Sequence, residues 1–320
     1  MVFTCLLRHG FIRKKEKNMD YTIELEGLTK SYKQKKVVDN FSLKMKKGHI
    51  YGLIGPNGAG KTTIMRMMAG LTQEDSGSMK FFGSEDLDSQ RRRMSFTLES
   101  PYMELSMTAR ENMNYIRILR GVADEKRIDQ VLEFVGLSDV GAKKVGQFSL
   151  GMRQRLGLGM MILPKSEVMV LDEPINGLDP EGIVDIRLML RKLAEEENVT
   201  ILISSHILSE LSELCTDFVI MNHGCLLEKL SAEELMQNTG AFIRIKTDDI
   251  NLTAAHLEKK LGIKNYLINK DGEMLLYERL NEIELVSHEI TEAGQTITRL
   301  NPESESLEQY YIRMVGGNNE

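Results

Sequence analysis

Short apolar blocks alternate with longer amphipathic ones over most of this chain. YTIELEGL (21–28) and VVDNFSLKM (37–45) follow the period of two that predicts half-buried strands. IYGLIG (50–55) is an unbroken apolar run, which predicts a strand buried on both faces. KTTIMRMMAGL (61–71) predicts a helix with Met65, Met68 and Leu71 at helical spacing, and those methionines read as core. From about Ser106 to Leu137 the pattern turns wholly helical, in TARENMNYIRILRG and then DEKRIDQVLEFVGL. Strands return at VMVLD, TILISS and DFVIMN, so a helical insertion divides an α/β core, with FSLGM (148–152) at its exit.

Beyond about Gly240 the texture changes. AFIRIKT reads as a strand, TAAHLEKKLG as a helix, NYLINKDGEMLLYE as two strands around a Lys-Asp-Gly turn, EIELVSHEITEAG as a helix and QTITRL as a strand. That β-α-β-β-α-β order predicts a small split-βαβ unit of ferredoxin-like type over 240–320. The amphipathic ESLEQYYIRMV should pack back on it. His256 and His288 have helical neighbours and read as solvated or core side chains.

Length and charge narrow the picture. At 320 residues the chain exceeds one ordinary core and fits one large domain plus a small one. A formal charge of −6, from 47 acids and 41 bases, gives no polycationic surface, so nucleic acid is not an expected partner. The longest apolar candidate for a span, LGLGMMIL (156–163), is far short of the roughly 20 residues that a spanning helix needs. Cys5, Cys215 and Cys225 form no C-x-x-C pair, which argues for reduced thiols rather than a disulfide framework or a thiolate zinc site. MVFTCLLRHGFIRKKEKNMD reverses the charge order of a secretory signal, and residues 1–19 read as an extension ahead of a fold that starts near Met19.

Two motifs carry chemistry. GPNGAGKTT (55–63) fills G-x-x-x-x-G-K-[ST] between a predicted strand and a predicted helix. Gly55, Asn57, Gly58, Ala59, Gly60 and Thr63 should turn successive N–H groups toward phosphate oxygens at a helix N-terminus. Lys61 should reach the β and γ phosphates, and the Thr62 hydroxyl should ligate Mg²⁺. EVMVLDEP (167–174) is a buried strand whose carboxyl end presents Asp172 to that magnesium and Glu173 to an attacking water.

With these residues the chain resembles the ATP-binding cassette (ABC) ATPases, the motor subunits of ABC transporters, over about Tyr21 to Leu230. The resemblance implies an α/β P-loop NTPase fold with a helical subdomain at about 100–150, inside a cassette spanning 20–238. It implies that Tyr32 stacks on adenine, that Ser149, Gly151 and Met152 form the signature motif, that NGLDP (176–180) with Asp179 is the D-loop, and that His206 in SSHILSE is the switch histidine. In this family two cassettes pair head to tail. Ser149 and Gly151, at the N-terminus of a helix over 152–163, are then implied to close over the partner's γ-phosphate.

Some positions depart from the family pattern. Glu99 stands where Gln is usual and is a further candidate for the Mg²⁺ site. Ile175 replaces Thr, while Leu150 and Met152 replace the signature's Gly and Gln. ESP, SLGM and SSHILSE together resemble exporters of bacitracin or lantibiotic-type peptides. The expectation is a cytoplasmic ATPase, peripheral at the inner membrane face, binding ATP and Mg²⁺. It would dimerise with itself or a similar subunit and drive a separate permease, with a soluble mechanochemical or regulatory ATPase as the alternative. His9, His49 and His223 have no assigned role, and Arg153 and Arg155 read as helix-surface charges.

Overall fold

A computed structural model of the chain describes residues 21–98, 102–238, 241–304 and 307–316. Residues 1–19, with Cys5 and His9, and Glu99 lie outside the described residues.

The core is a six-stranded sheet, in spatial order β5 (Met94–Thr97), β6 (Val168–Asp172), β7 (Thr200–Ser204), β3 (Ile50–Ile54), β8 (Asp217–Asn222) and β9 (Cys225–Ser231). The first five strands run parallel and β9 pairs antiparallel at the edge. Continuous apolar runs suit a sheet covered on both faces, because successive side chains point to opposite sides. Tyr51, Leu53, Val168, Val170, Leu202, Val219 and Met221 face one core; Ile50, Ile54, Met169, Leu171, Ile201, Ile203, Phe218 and Ile220 face the other. Gly52 interrupts β3 because a Cβ there would come within 2.8 Å of the Cys215 Sγ.

The first core is capped by an antiparallel sheet of β1 (Tyr21–Tyr32), β2 (Lys35–Lys46) and β4 (Ser76–Phe81), in order β2-β1-β4. Helix α1 (Lys61–Met68) lies in the same core, burying Ile64, Met65, Met67 and Met68. Leu71 does not join them. The helix ends before it, and the side chain is 70% exposed.

The second core takes the helices. The segment from Ser106 to Leu137 forms two helices, α3 (Ala109–Leu119) and α4 (Lys126–Phe134), one in each of the two helical stretches. The first opens with a capping box in which Thr108 Oγ1 accepts from the Glu111 N–H and Glu111 accepts from the Thr108 N–H. Both pack against α5 (Leu150–Ile162), where a Cβ at Gly159 would sit 3.3 Å from Val131. α6 (Pro180–Glu197) and α7 (Leu208–Leu214) complete this layer.

The C-terminal strands β10 (Ala241–Thr247), β11 (Tyr266–Ile268), β12 (Met274–Leu276) and β13 (Ile297–Ser304) form an antiparallel sheet in order β11-β12-β10-β13. With α9 (Ile250–Leu261) and α10 (Ile283–Glu292) they enclose a separate core of Ile243, Ile245, Leu257, Met274, Val286 and Ile290. Arg244 bridges Glu273 and Glu303 at 2.8 Å each. His256 pairs with Glu289 at 3.2 Å. The last helix, α11 (Leu307–Gly316), departs from expectation: Leu307 and Tyr310 are buried in the second core, against α7, and the Tyr310 hydroxyl donates to Glu228. An apolar stripe shows that a helix packs, not which surface receives it.

Candidate active site

β3 ends at Ile54, and the chain turns through residues 55–60 into α1. Close backbone approach dictates the glycines at both ends of that turn. A Cβ at Gly55 would lie 2.7 Å from the Met221 carbonyl oxygen, and one at Gly60, whose φ is +104°, would lie 2.6 Å from that of Val37. The Ala59 carbonyl accepts from the Gly224 N–H at 3.0 Å, which ties the loop to the β8–β9 turn carrying His223. Asn57, Gly58, Ala59, Gly60, Lys61, Thr62 and Thr63 line a cavity of about 230 Å³ with Val37, Asp172 and Glu173. Lys61 is buried, and its ammonium donates to the Gly55 carbonyl at 2.5 Å and that of Pro56 at 3.3 Å. Burial pulls its pKa below the ordinary lysine range, against the opposing pull of Glu173 and Asp172.

The two sequence motifs meet here. Thr62 Oγ1 donates to Asp172 Oδ2 at 2.7 Å, joining α1 to the end of β6. His206, just past β7, lies with Nδ1 2.7 Å from Glu173 Oε2. Glu173 itself has φ +51°, a left-handed conformation uncommon outside glycine. Sequence reasoning passed over Ser204, whose hydroxyl donates to Asp172 Oδ1 and accepts from the Glu173 N–H at 3.1 Å. Its signal was a serine closing the buried strand TILIS, after the apolar run Ile201–Ile203, beside the acidic one. Tyr32, at the tip of β1, is 46% exposed with the Lys30 ammonium 5.8 Å from its ring centroid, and it stands outside the cavity lining.

The FSLGM segment belongs to a different depression. Ser149 caps α5, accepting from the Met152 N–H at 3.2 Å, so the helix starts at Leu150, two residues earlier than expected. Ser149 and Gly151 line a second cavity of about 440 Å³ with Asp179, Gly177 and Arg155, and its lining shares no residue with the first. Asp179 caps α6 through the Gly182 N–H at 3.2 Å. Arg155 lies 3.7 Å from Asp185, and Arg153 donates to the Gly146 carbonyl at 3.1 Å. Ile175 is 3% exposed in the second core, which suits an apolar side chain at that position. His49 pairs with Asp217 at 2.7 Å, away from both cavities. Cys215 is buried, and burial pushes its thiol far above the ordinary value.

Comparison with known proteins places this geometry. Residues 38–176 match the ABC transporter family. The chain is similar to the bacitracin transport ATP-binding protein BcrA of Bacillus licheniformis, 37% identical, the match covering 93% of this chain and 99% of that protein. It is also similar to the lantibiotic transport ATP-binding protein SrtF of Streptococcus pyogenes, 39% identical over 68% of this chain and 96% of that protein. Among solved structures, a dimeric ATP-binding cassette bound to ADP and phosphate superposes with a TM-score of 0.60 at 22% identity, covering 66% of this chain and 98% of that one. No helix among the described residues is long and apolar enough to cross a membrane. The chain belongs to the ABC transporter family, as one of its ATP-binding proteins.

Proposed function

We propose that the chain is the ATP-hydrolysing motor of an exporter, closing head to tail with a second copy on ATP and driving a separately encoded membrane permease. One observation carries this reading. Lys61, Thr62, Asp172, Glu173 and His206 converge at the carboxyl ends of three neighbouring parallel strands, while Ser149, Gly151 and Asp179 gather in a second cavity that holds none of them. Ligands of open α/β sheets bind at such strand ends. A cassette whose own signature faces elsewhere suits a site completed by another chain.

In this reading the loop N–H groups and the α1 N-terminus bind the phosphates, and Lys61 exchanges its two carbonyl partners for β and γ oxygens. Adenine stacks on the exposed Tyr32 ring. An hydroxyl and a carboxylate oxygen 2.7 Å apart beside a polyphosphate cradle are hard donors suited to magnesium, so Thr62 and Asp172 would hold that ion, with Glu99 as a further candidate ligand. A magnesium ion held there would supply neutralisation of the charge that develops on the β and γ phosphates. Glu173 orients the attacking water and accepts its proton, and His206 holds the Glu173 carboxylate in place. Ser149 and the α5 N-terminus of the opposing copy complete the γ-phosphate site.

The names of the bacitracin and lantibiotic relatives support an antimicrobial peptide or similar amphiphile as cargo. The dimeric neighbour supports pairing. A permease would hold the chain at the cytoplasmic face of the membrane. We divide the chain into a cassette over 20–238 and a small domain over 240–320, whose strand order supports a ferredoxin-like assignment.

The test is the steady-state ATPase rate against protein concentration, beside Glu173→Gln examined by size exclusion with ATP. A rate rising more than linearly, with the variant trapped as a dimer, supports the composite site. A linear rate and a monomeric variant count against it.

A further inference from the structure

Ser204 closes β7, a strand whose other residues are all buried: Thr200, Ile201, Leu202 and Ile203. Sheet packing alone does not call for a hydroxyl at that position, because a valine would suit a buried strand better. The Ser204 side chain is fully buried, and a buried hydroxyl is costly unless its hydrogen bonds are made. They are made to two particular groups.

Parallel pairing of β6 with β7 sets Ser204 opposite Asp172. The Ser204 O–H donates to Asp172 Oδ1, while Thr62 Oγ1 donates to Oδ2, so the carboxylate is held at both oxygens. The same Ser204 oxygen accepts from the Glu173 N–H at 3.1 Å, and the Ser204 carbonyl accepts from it at 3.2 Å. Those acceptors brace Glu173 in its left-handed turn, from which its carboxylate reaches His206. One hydroxyl, acting as donor and acceptor together, fixes the two acids relative to each other.

We infer that Ser204 is a positioning residue for hydrolysis, setting the direction of the Asp172 carboxylate and the turn that aims Glu173. The inference rests on the ATPase reading above. With the Thr62 hydroxyl turned to a metal, Ser204 would be the side-chain donor left on Asp172 among the described residues, so its loss would free the carboxylate to rotate. Loss of the acceptor also removes the side-chain brace on the Glu173 N–H.

Ser204→Ala, Ser204→Cys and Ser204→Thr in the full chain test this, each checked by thermal melting. Turnover is measured against Mg²⁺ and ATP, and Mn²⁺ binding in the presence of ADP is followed by paramagnetic resonance. Removing a hydrogen bond to a charged group predicts roughly a tenfold fall in kcat for Ser204→Ala. Mn²⁺ affinity should fall several-fold, ATP binding without metal should stay near wild type, and Ser204→Thr should recover most of both losses. Turnover and Mn²⁺ binding of Ser204→Ala within twofold of wild type would overturn the inference. So would equal losses in Ala, Cys and Thr, which would mean that only volume matters. If the wild-type chain hydrolyses no ATP while Mn²⁺ binding still depends on Ser204, the ATPase reading fails and the anchoring of Asp172 stands. Absence of both effects removes both.

Discussion

Thr62 and Asp172, 110 residues apart in sequence, share a 2.7 Å hydrogen bond that closes the phosphate cradle. It exists because β3 and β6 are held two strands apart by β7 in one parallel sheet, with both carboxyl ends on the same edge. The loop after β3 therefore meets the acids after β6. Changes that move either end should be felt as lost nucleotide binding before they are felt as lost fold.

Gly60→Ala puts a methyl group 2.6 Å from the Val37 carbonyl oxygen and an L-residue at φ +104°. Both push the loop away from β2. The expected cost is about 1–3 kcal/mol of stability, together with loss of detectable ATP binding by equilibrium dialysis. Gly58→Ala has the same handedness problem but open space around it, so it should cost less.

Ser149→Ala should lower hydrolysis at least about tenfold, as expected for removal of a transition-state donor, while one chain alone still binds ATP normally. Lys61→Met should lose binding itself. Mixing the two inactive variants should restore activity, since a mixed pair contains one intact composite site. No rescue on mixing would show that Ser149 serves its own chain.

Tyr310→Ala removes an aromatic ring, 4% exposed, from the second core together with its hydrogen bond to Glu228. Truncation of a buried aromatic side chain costs about 3–5 kcal/mol. The melting temperature of the cassette should fall, although the substitution lies in the C-terminal helix. A melting change confined to the small sheet would mean that α11 belongs there after all.

Glu273 is held below its ordinary carboxylate value of 4.5, chiefly by its hydrogen bond from Arg244. A depressed folded pKa contributes stability above the unfolded value and loses it as pH falls through the folded one. Glu273→Gln should therefore lower stability by about 1–2 kcal/mol at pH 7. The difference from wild type should shrink as pH drops below about 4.5. Melting curves at pH 7 and in acid check the sign.

Local sequence was enough for anything with a local cause. The strand texture of β1 and β2, the apolar runs of β3, β6, β7 and β8, and the glycine loop before Lys61 follow from short-range rules of pleat, burial and φ. The phosphate cradle and both acids were legible for that reason. What tertiary structure decided is which of these segments meet. Leu71 fell outside the core because α1 stops at Met68, and α11 packs on α7 with Leu307 and Tyr310 buried in the second core. Ser204 was invisible as a working residue, since a serine ending a strand says nothing until pairing puts Asp172 opposite it. The separation of Ser149 from Lys61 likewise appears only when the sheet, with its insertion of helices, is assembled. Periodicity is written residue by residue along the backbone, but partners at long range are chosen by the packing of whole elements.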